Sequence, residues 1–187
     1  MSLSRLVGLV LATGGLLAGL LWAGPLLHYI DWISVLIVVG GTVGLALLTY
    51  DDLGWFYSRA LPRFLAPGKH APLSAEQSLH AARMARTQGD HALIVASLCT
   101  LIGGAQILAG VEDPAVIGPA LAVAFLTNLY SIIMVALFFM PMGRFFVSEA
   151  KVDVDGARDP QVGIYAQVLS SVVVLVPMAT ILVLWGG

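Results

Sequence analysis

The chain has 187 residues; hydrophobic residues make up 59% of it and charged residues 11%, and the formal net charge is −2. About a quarter of the residues in a soluble globular domain are charged, so the composition excludes that class. The chain contains several uncharged runs whose length is close to the ~20 residues that cross a bilayer core. These runs show no strand-like alternation of apolar and polar residues, so they predict an all-α polytopic membrane protein.

Five uncharged runs predict membrane spans, and they are residues 6–22, 33–49, 92–108, 116–140 and 162–185. The first run follows Arg5, and no small-x-small cleavage pattern lies before the second. We therefore interpret the first run as a retained helix and not as a signal peptide. The predicted organisation is two spans in 1–50, a cytoplasmic loop in 51–91, two spans in 92–145, a polar connector in 146–161 and a fifth span in 162–187.

The basic residues predict the orientation of the spans. All nine Lys and Arg residues precede the first span, lie between the second and third, or follow the fourth. These three regions share one side of the membrane, and the positive-inside rule assigns that side to the cytoplasm. The N-terminus is therefore predicted to be cytoplasmic, and the fifth span would carry the C-terminus to the outer side.

The predicted loop at 51–91 divides into two parts. Three prolines between residues 62 and 72 argue against a long helix in the first part. The second part predicts a short amphipathic helix. Ser74 and Gln77 have the spacing of a capping box, and Gly89 stands where a helix C-cap is expected.

His80, Arg83 and Arg86 recur at intervals of three in that predicted helix, so they share a basic face. Such a face is typical of an interfacial helix held near anionic membrane lipids. The alternative is a docking face for another protein.

The sequence carries no sign of catalytic, metal or cofactor chemistry. The acids of the connector lack the spacing of an EF-hand loop and fit a solvated linker. Cys99, the single cysteine, lies in a predicted span, so it offers neither a disulfide nor a thiolate metal site. No nucleophile motif or phosphate loop occurs, and no Asp, Glu, Lys or Arg lies in a span core. We therefore predict no enzyme, metal, cofactor or nucleic-acid partner, and no self-contained proton-coupled transporter.

Small residues in the second and third predicted spans indicate close helix packing, because they let neighbouring backbones approach in a membrane. These residues are Gly40, Gly41 and Gly44 in the second span and Gly103 and Gly104 in the third. The same stretch of the third span also holds the hydroxyl of Thr100.

The fourth predicted span includes "ALAVAFLTNLYSIIMVALFFMP", which holds Thr127 and Asn128 side by side. Thr127 shares a helix face with Ala120, Ala124 and Ser131. Hydroxyls on such a face bond to their own backbone in the simplest interpretation, which is helix packing alone. The Asn128 amide has both donors and acceptors, so it needs a polar group on another helix or water.

These patches carry a resemblance to the MotA/TolQ/ExbB proton-channel superfamily, closest to the MotA branch of flagellar stator subunits. In the second span, "SVLIVVGGTVGLALL" is similar to that branch's Ser-Leu-x-x-Val-x-Gly-Gly-Thr-x-Gly pattern. In the third, "CTLIGGAQIL" resembles its Gly-Thr-Val-x-Gly-Leu stretch. In the fourth, "DPAVIGPALAVAFLTNLYSIIMVALFFMP" is similar over its whole length. The resemblance covers four spans, and the fifth lies outside it.

The resemblance implies the channel-forming subunit of an ion-driven rotary motor in the bacterial inner membrane. Members of the family form a pentamer around two copies of a MotB/ExbD/TolR-like partner, a single-span protein that carries the proton-binding aspartate. On this resemblance Thr100, Thr127 and Asn128 would face the partner helix and the passing ions, and Pro141 would act in gating. The alternative is a non-conducting scaffold protein of an envelope complex.

The sequence departs from the flagellar branch in three ways. The loop is much shorter than the cytoplasmic domain of flagellar stators, and the proline expected before the third span is absent. Arg86 matches the arginine of the torque-generating stretch, but Ile94 replaces its glutamate, so contact with a flagellar rotor is not predicted. Asn128 replaces the second threonine of the family's pair, which leaves the coupling ion, proton or sodium, open.

Overall fold

The computed structural model describes residues 3–110 and 114–151, together with residues 165, 168, 171 and 172. Within this part of the chain every regular element is a helix, and no strand occurs. The prediction of an all-α chain is confirmed there.

The α-helices of the described residues are α1 (Leu3–Ala23), α2 (Trp32–Thr49), α3 (Leu53–Trp55), α4 (Leu61–Leu65), α5 (Ala75–Ala109), α6 (Pro114–Met134) and α7 (Met140–Ala150). A 3₁₀ turn, Leu26–Tyr29, lies between α1 and α2. Two π-helical turns, Phe56–Ala60 and Val135–Phe139, join α3 to α4 and α6 to α7. We call the end of the bundle that carries α3 and α4 the loop end, and the end that carries residues 24–31 the turn end.

The helix predicted to end at Gly89 is instead the first half of α5, a continuous helix of 35 residues. Its start is as predicted. The Gln77 N–H donates to the Ser74 hydroxyl at 3.2 Å, and the Ser74 N–H donates to the Gln77 side chain at 3.1 Å. Gly89 is buried, and a β-carbon there would lie 3.5 Å from Phe139 Cβ. Packing against the neighbouring π turn therefore outweighs the tendency of glycine to end a helix.

The first part of the loop, where the prolines argue only against a long helix, contains a short helix that ends before Pro67. Residues 53–65, here called the loop helix, run through the π turn at Phe56–Ala60. Pro62 is the second residue of α4, just after this π turn, which closes with a wide hydrogen bond from the Leu61 N–H to the Phe56 carbonyl and so accommodates the N–H that proline lacks. Phe56 and Ala60 are fully buried in the apolar core, and this burial stabilises the short helix.

The fourth predicted span extends further than expected. From Pro114 to Ala150 the chain forms one helical segment, so residues 146–150 of the predicted connector are helical. Lys151 ends this segment with a φ of 53°, the left-handed conformation that is common after a helix. The rest of the connector and nearly all of the fifth predicted span lie outside the described residues.

Three described helical segments are long and apolar enough to cross a membrane, and they are Trp32–Thr49, Ala75–Ala109 and Ile117–Ala150. The apolar part of α1, Val10–Ala23, is shorter. The apolar helices support a membrane protein. The number of spans, four plus a fifth, stays a prediction.

The main apolar core lies at the loop end, where the loop helix, α5 and α7 meet. Its largest members are Phe56, Met84, Phe139, Met142 and Phe146, each at most 4% exposed. Toward the turn end, α5 and α6 pack through small residues instead. The large exposed side chains of α2 are apolar, as expected where a helix faces lipid, and α5 exposes apolar side chains in its second half at Leu98, Leu101, Ile102 and Leu108.

Candidate functional site

The backbones of α5 and α6 come close together at Gly103. A β-carbon at this position would lie 2.9 Å from both the Ala120 carbonyl oxygen and Ala124 Cβ. Only glycine fits such an approach without displacing the backbone of α6. Gly104, its neighbour, is half-buried. The contact at Gly103 brings the polar side chains of the two helices within reach of each other.

The two helices share a hydrogen bond next to this contact, between Asn128 and Thr100. The Asn128 amide donates to the Thr100 hydroxyl and to the Ala124 carbonyl, the latter at 2.8 Å. The Thr100 hydroxyl donates in turn to the Ala96 carbonyl at 2.9 Å. The structure thus supplies the polar group on another helix that the sequence required for Asn128.

Thr127 lies inside the protein. Its side chain is 0% exposed, and its hydroxyl lies 2.8 Å from the Val123 carbonyl and 3.1 Å from the Ala124 carbonyl, either of which can accept. Ser131 is equally buried and donates to the Asn128 carbonyl at 3.0 Å. These hydroxyls are satisfied within their own helix, as the packing interpretation expects.

The glycines of α2 differ in their surroundings. A β-carbon at Gly41 would lie 2.9 Å from the methyl groups of Val95, so α2 approaches α5 closely there. Around Gly40 and Gly44 nothing lies within 4 Å of such an atom among the described residues. Within one copy of the chain, Gly41 alone of the three lies at a close helix contact.

Pro141 is exposed and is the second residue of α7, directly after the π turn Val135–Phe139. The turn closes with a hydrogen bond from the Met140 N–H to the Val135 carbonyl, one residue wider than an α-helical bond. A proline has no N–H for the next α-helical bond, so a wide turn before it avoids an internal defect.

The three residues of the predicted basic face of α5 have different environments in the structure. Arg83 is exposed, whereas Arg86 packs on α7, its Cγ 3.4 Å from where a β-carbon would stand on Gly143. His80 lies 2.7 Å from an Asp52 carboxylate oxygen and against the Trp55 ring. The face is therefore partly used within the chain, and Arg83 remains at the surface.

An ion pair between the loop helix and α7 was not predicted from the sequence. Arg63 donates to Glu149 Oε1 from Nε at 3.0 Å and from Nη2 at 2.5 Å, and both side chains are 14% exposed. The remaining nitrogen of Arg63, Nη1, donates to the carbonyls of Pro67 and His70. The partners are 86 residues apart, and no local pattern in the sequence signals such a pair.

A further group of polar contacts joins the loop helix to α5. The Tyr57 hydroxyl donates to Gln88 Oε1 at 2.6 Å, and burial raises the pKa of the Tyr57 phenol, so it stays protonated. Tyr50, which follows α2, donates to the Thr87 hydroxyl at 2.9 Å. Together these bonds fix the loop helix and the end of α2 against α5.

The turn end has its own polar tie. The Tyr130 hydroxyl of α6 donates to the Tyr29 carbonyl at 2.5 Å and accepts from the Asp31 N–H at 2.9 Å. The Asp31 carboxylate caps α2 and accepts from the N–H groups of Ile33 and Ser34. A hydrogen bond from the Ser34 hydroxyl, aided by those N–H groups, holds the pKa of Asp31 below its ordinary value.

No group of three or more His, Cys, Asp or Glu residues that could hold a metal occurs within the described ranges.

No family model matches the chain. A similarity exists to the "Chemotaxis protein PomA" of Vibrio alginolyticus, with 36% identity over 74 residues. The match covers 40% of this chain and 29% of that protein, so the chain matches less than a third of the relative's length. It supports a relationship to the MotA-like family at a distant level only.

Proposed function

We propose that the chain is the channel-forming subunit of an ion-driven, stator-type motor in a bacterial cytoplasmic membrane. The observation that carries the proposal is the hydrogen bond from Asn128 to Thr100, which joins an amide and a hydroxyl within two apolar helices. The distant similarity to PomA supports the same assignment.

The acid that binds the ion would come from a partner. The predicted third and fourth spans contain no Asp, Glu, Lys or Arg, and an amide–hydroxyl pair has no charge that changes when an ion binds. In this proposal a MotB/ExbD/TolR-like single-span protein supplies an aspartate beside Thr100 and Asn128, and five copies of this chain surround it.

Exposure gives the two neighbouring side chains different tasks in this mechanism. Asn128 is half-buried, so part of it reaches the surface of the chain, where a partner helix could touch it. Thr127 is fully buried and would hold α6 in position without touching the ion. Pro141 would mark the point at which α7 changes its angle to α6 as the ion passes.

The second candidate function is that of a non-conducting scaffold in an envelope complex. The full burial of Thr127 and the satisfaction of its hydroxyl within its own helix favour this alternative. A scaffold needs its polar groups satisfied locally, whereas a pore needs some of them to face a shared axis.

The test is to purify the chain together with any single-span, aspartate-bearing protein that is encoded beside it. Native mass spectrometry would count the subunits, and reconstituted vesicles would report proton or sodium flux. Five copies around two partner helices, with flux that requires the partner's aspartate, would support the motor subunit. A complex of any composition that conducts no ions would favour the scaffold.

A further inference from the structure

Two buried polar atoms belong to residues one helical turn apart on α5, on the face that meets α2 and the loop helix. Gln88 is 0% exposed, and its Nε2 amide has no acceptor among the described protein atoms. His91 Nδ1 is also buried and without a hydrogen-bond partner there. The two residues are three apart, so their side chains are neighbours on the helix.

The opposite ends of both side chains are already held. Gln88 Oε1 accepts from the Tyr57 hydroxyl at 2.6 Å. His91 Nε2 lies 3.4 Å from the Thr49 hydroxyl, which donates its own hydrogen to the Leu45 carbonyl at 2.8 Å. The Thr49 oxygen can therefore only accept, so the imidazole hydrogen sits on Nε2 and Nδ1 presents a lone pair.

The unmatched atoms are chemically complementary, because the Gln88 amide offers two N–H donors and His91 Nδ1 offers one acceptor. Leaving either without a partner in a buried position destabilises the folded chain. A buried water usually makes about three hydrogen bonds to groups of this kind.

We propose that a single water molecule occupies this position as part of the fold, accepting from Gln88 Nε2 and donating to His91 Nδ1. It links α2, the loop helix and α5 through the chain Thr49, His91, water, Gln88 and Tyr57. The site lies on the α2 side of α5, away from the Thr100–Asn128 bond with α6, and it does not depend on the function proposed above.

Two outcomes for the His91→Leu variant have opposite signs, since the other nitrogen of His91 makes only a long contact, 3.4 Å, with Thr49. If the water is bound to Nδ1, the variant loses a satisfied network, and the midpoint of thermal unfolding of the full chain in detergent falls by about 2–4 °C. If Nδ1 is unsatisfied, removing it raises the midpoint, and that result overturns the proposal.

A double-mutant cycle between Gln88→Met and His91→Leu measures the coupling between the two side chains. A shared water predicts that the double variant loses clearly less than the sum of the two single losses. Ser97→Ala is the matched control, since the Ser97 hydroxyl bonds only to the Leu93 carbonyl on its own helix, and it should add to Gln88→Met. Additive losses for Gln88 and His91 would contradict a shared water.

The unmodified protein provides the direct measurement. A high-resolution cryo-electron microscopy map of the complex should show a density peak within hydrogen-bond distance of both Gln88 Nε2 and His91 Nδ1. A direct contact between the two side chains with no peak between them would rule out the water.

Discussion

Gly103 approaches Ala124 so closely that a β-carbon on the glycine would lie 2.9 Å from the alanine Cβ, and the same atom would meet the Ala120 carbonyl. The contact holds α5 and α6 at the separation at which the Asn128 amide reaches the Thr100 hydroxyl. Gly103 thus sets the distance between α5 and α6, and at this distance the Asn128 amide can donate a hydrogen bond to Thr100.

The variant Gly103→Ala should therefore be destabilised by about 1–3 kcal/mol, because the added methyl group forces α6 outward. Gly44→Ala is the matched control, as nothing lies within 4 Å of a β-carbon there, and alanine favours the helix by up to ~1 kcal/mol. Thermal unfolding in detergent compares the two. Equal changes in the unfolding midpoint of both variants would show that the close approach at Gly103 does not contribute to stability.

Asn128→Leu should lower ion flux in vesicles that contain the chain and its partner about tenfold or more, since a lost hydrogen bond worth ~1.4 kcal/mol is a factor of ten. Asn128→Thr should keep most of the flux, because a hydroxyl can replace the amide in the polar contact. Thr127→Val tests the neighbour, whose burial predicts a loss of stability before any loss of flux. Normal flux in Asn128→Leu would remove this side chain from the ion path.

Arg63→Met should cost about 1–3 kcal/mol of stability, since it leaves the Glu149 carboxylate, 14% exposed, without the two hydrogen bonds that Arg63 donates to Oε1. Arg59→Met is the control: Arg59 is an exposed arginine of the same loop helix and forms no ion pair within the described residues. Chemical denaturation followed by tryptophan fluorescence would compare them. If both variants lose the same stability, the ion pair contributes nothing beyond a surface charge.

The pKa of Asp31 is lower in the folded chain than its ordinary value of 3.8. The cap that Asp31 forms on α2 therefore contributes its full stability to the folded chain at any pH above that ordinary value. This stability is lost as the pH falls through the lower, folded value. Ser34→Ala removes the hydroxyl that lowers the pKa most, so its stability should depend less on pH in that acidic window. Unfolding midpoints of both proteins between pH 7 and acid would test this, and parallel curves would disprove it.

The helical class, the start of α5 and the need of Asn128 for a polar partner could all be predicted, because each depends on local pattern. The local pattern at Gly89 predicts a helix end, and this prediction is wrong because the neighbour that keeps the helix going, Phe139, lies 50 residues away. The local pattern also gives no sign of the loop helix, because it is the burial of Phe56 and Ala60 that compensates for the prolines. The partner of Asn128 could not be named, as a sequence shows that an amide needs a bond but not which hydroxyl supplies it.

The uneven distribution of the core, with its aromatic and methionine side chains at the loop end, has a mechanical consequence. Among the described residues, a pulling force on the turn end would meet small helix contacts and the two hydrogen bonds of Tyr130, so the helices should separate there first. The loop end should behave as a stiff pivot and give way last. Single-molecule extraction from a bilayer would then show a low-force step followed by one cooperative rupture.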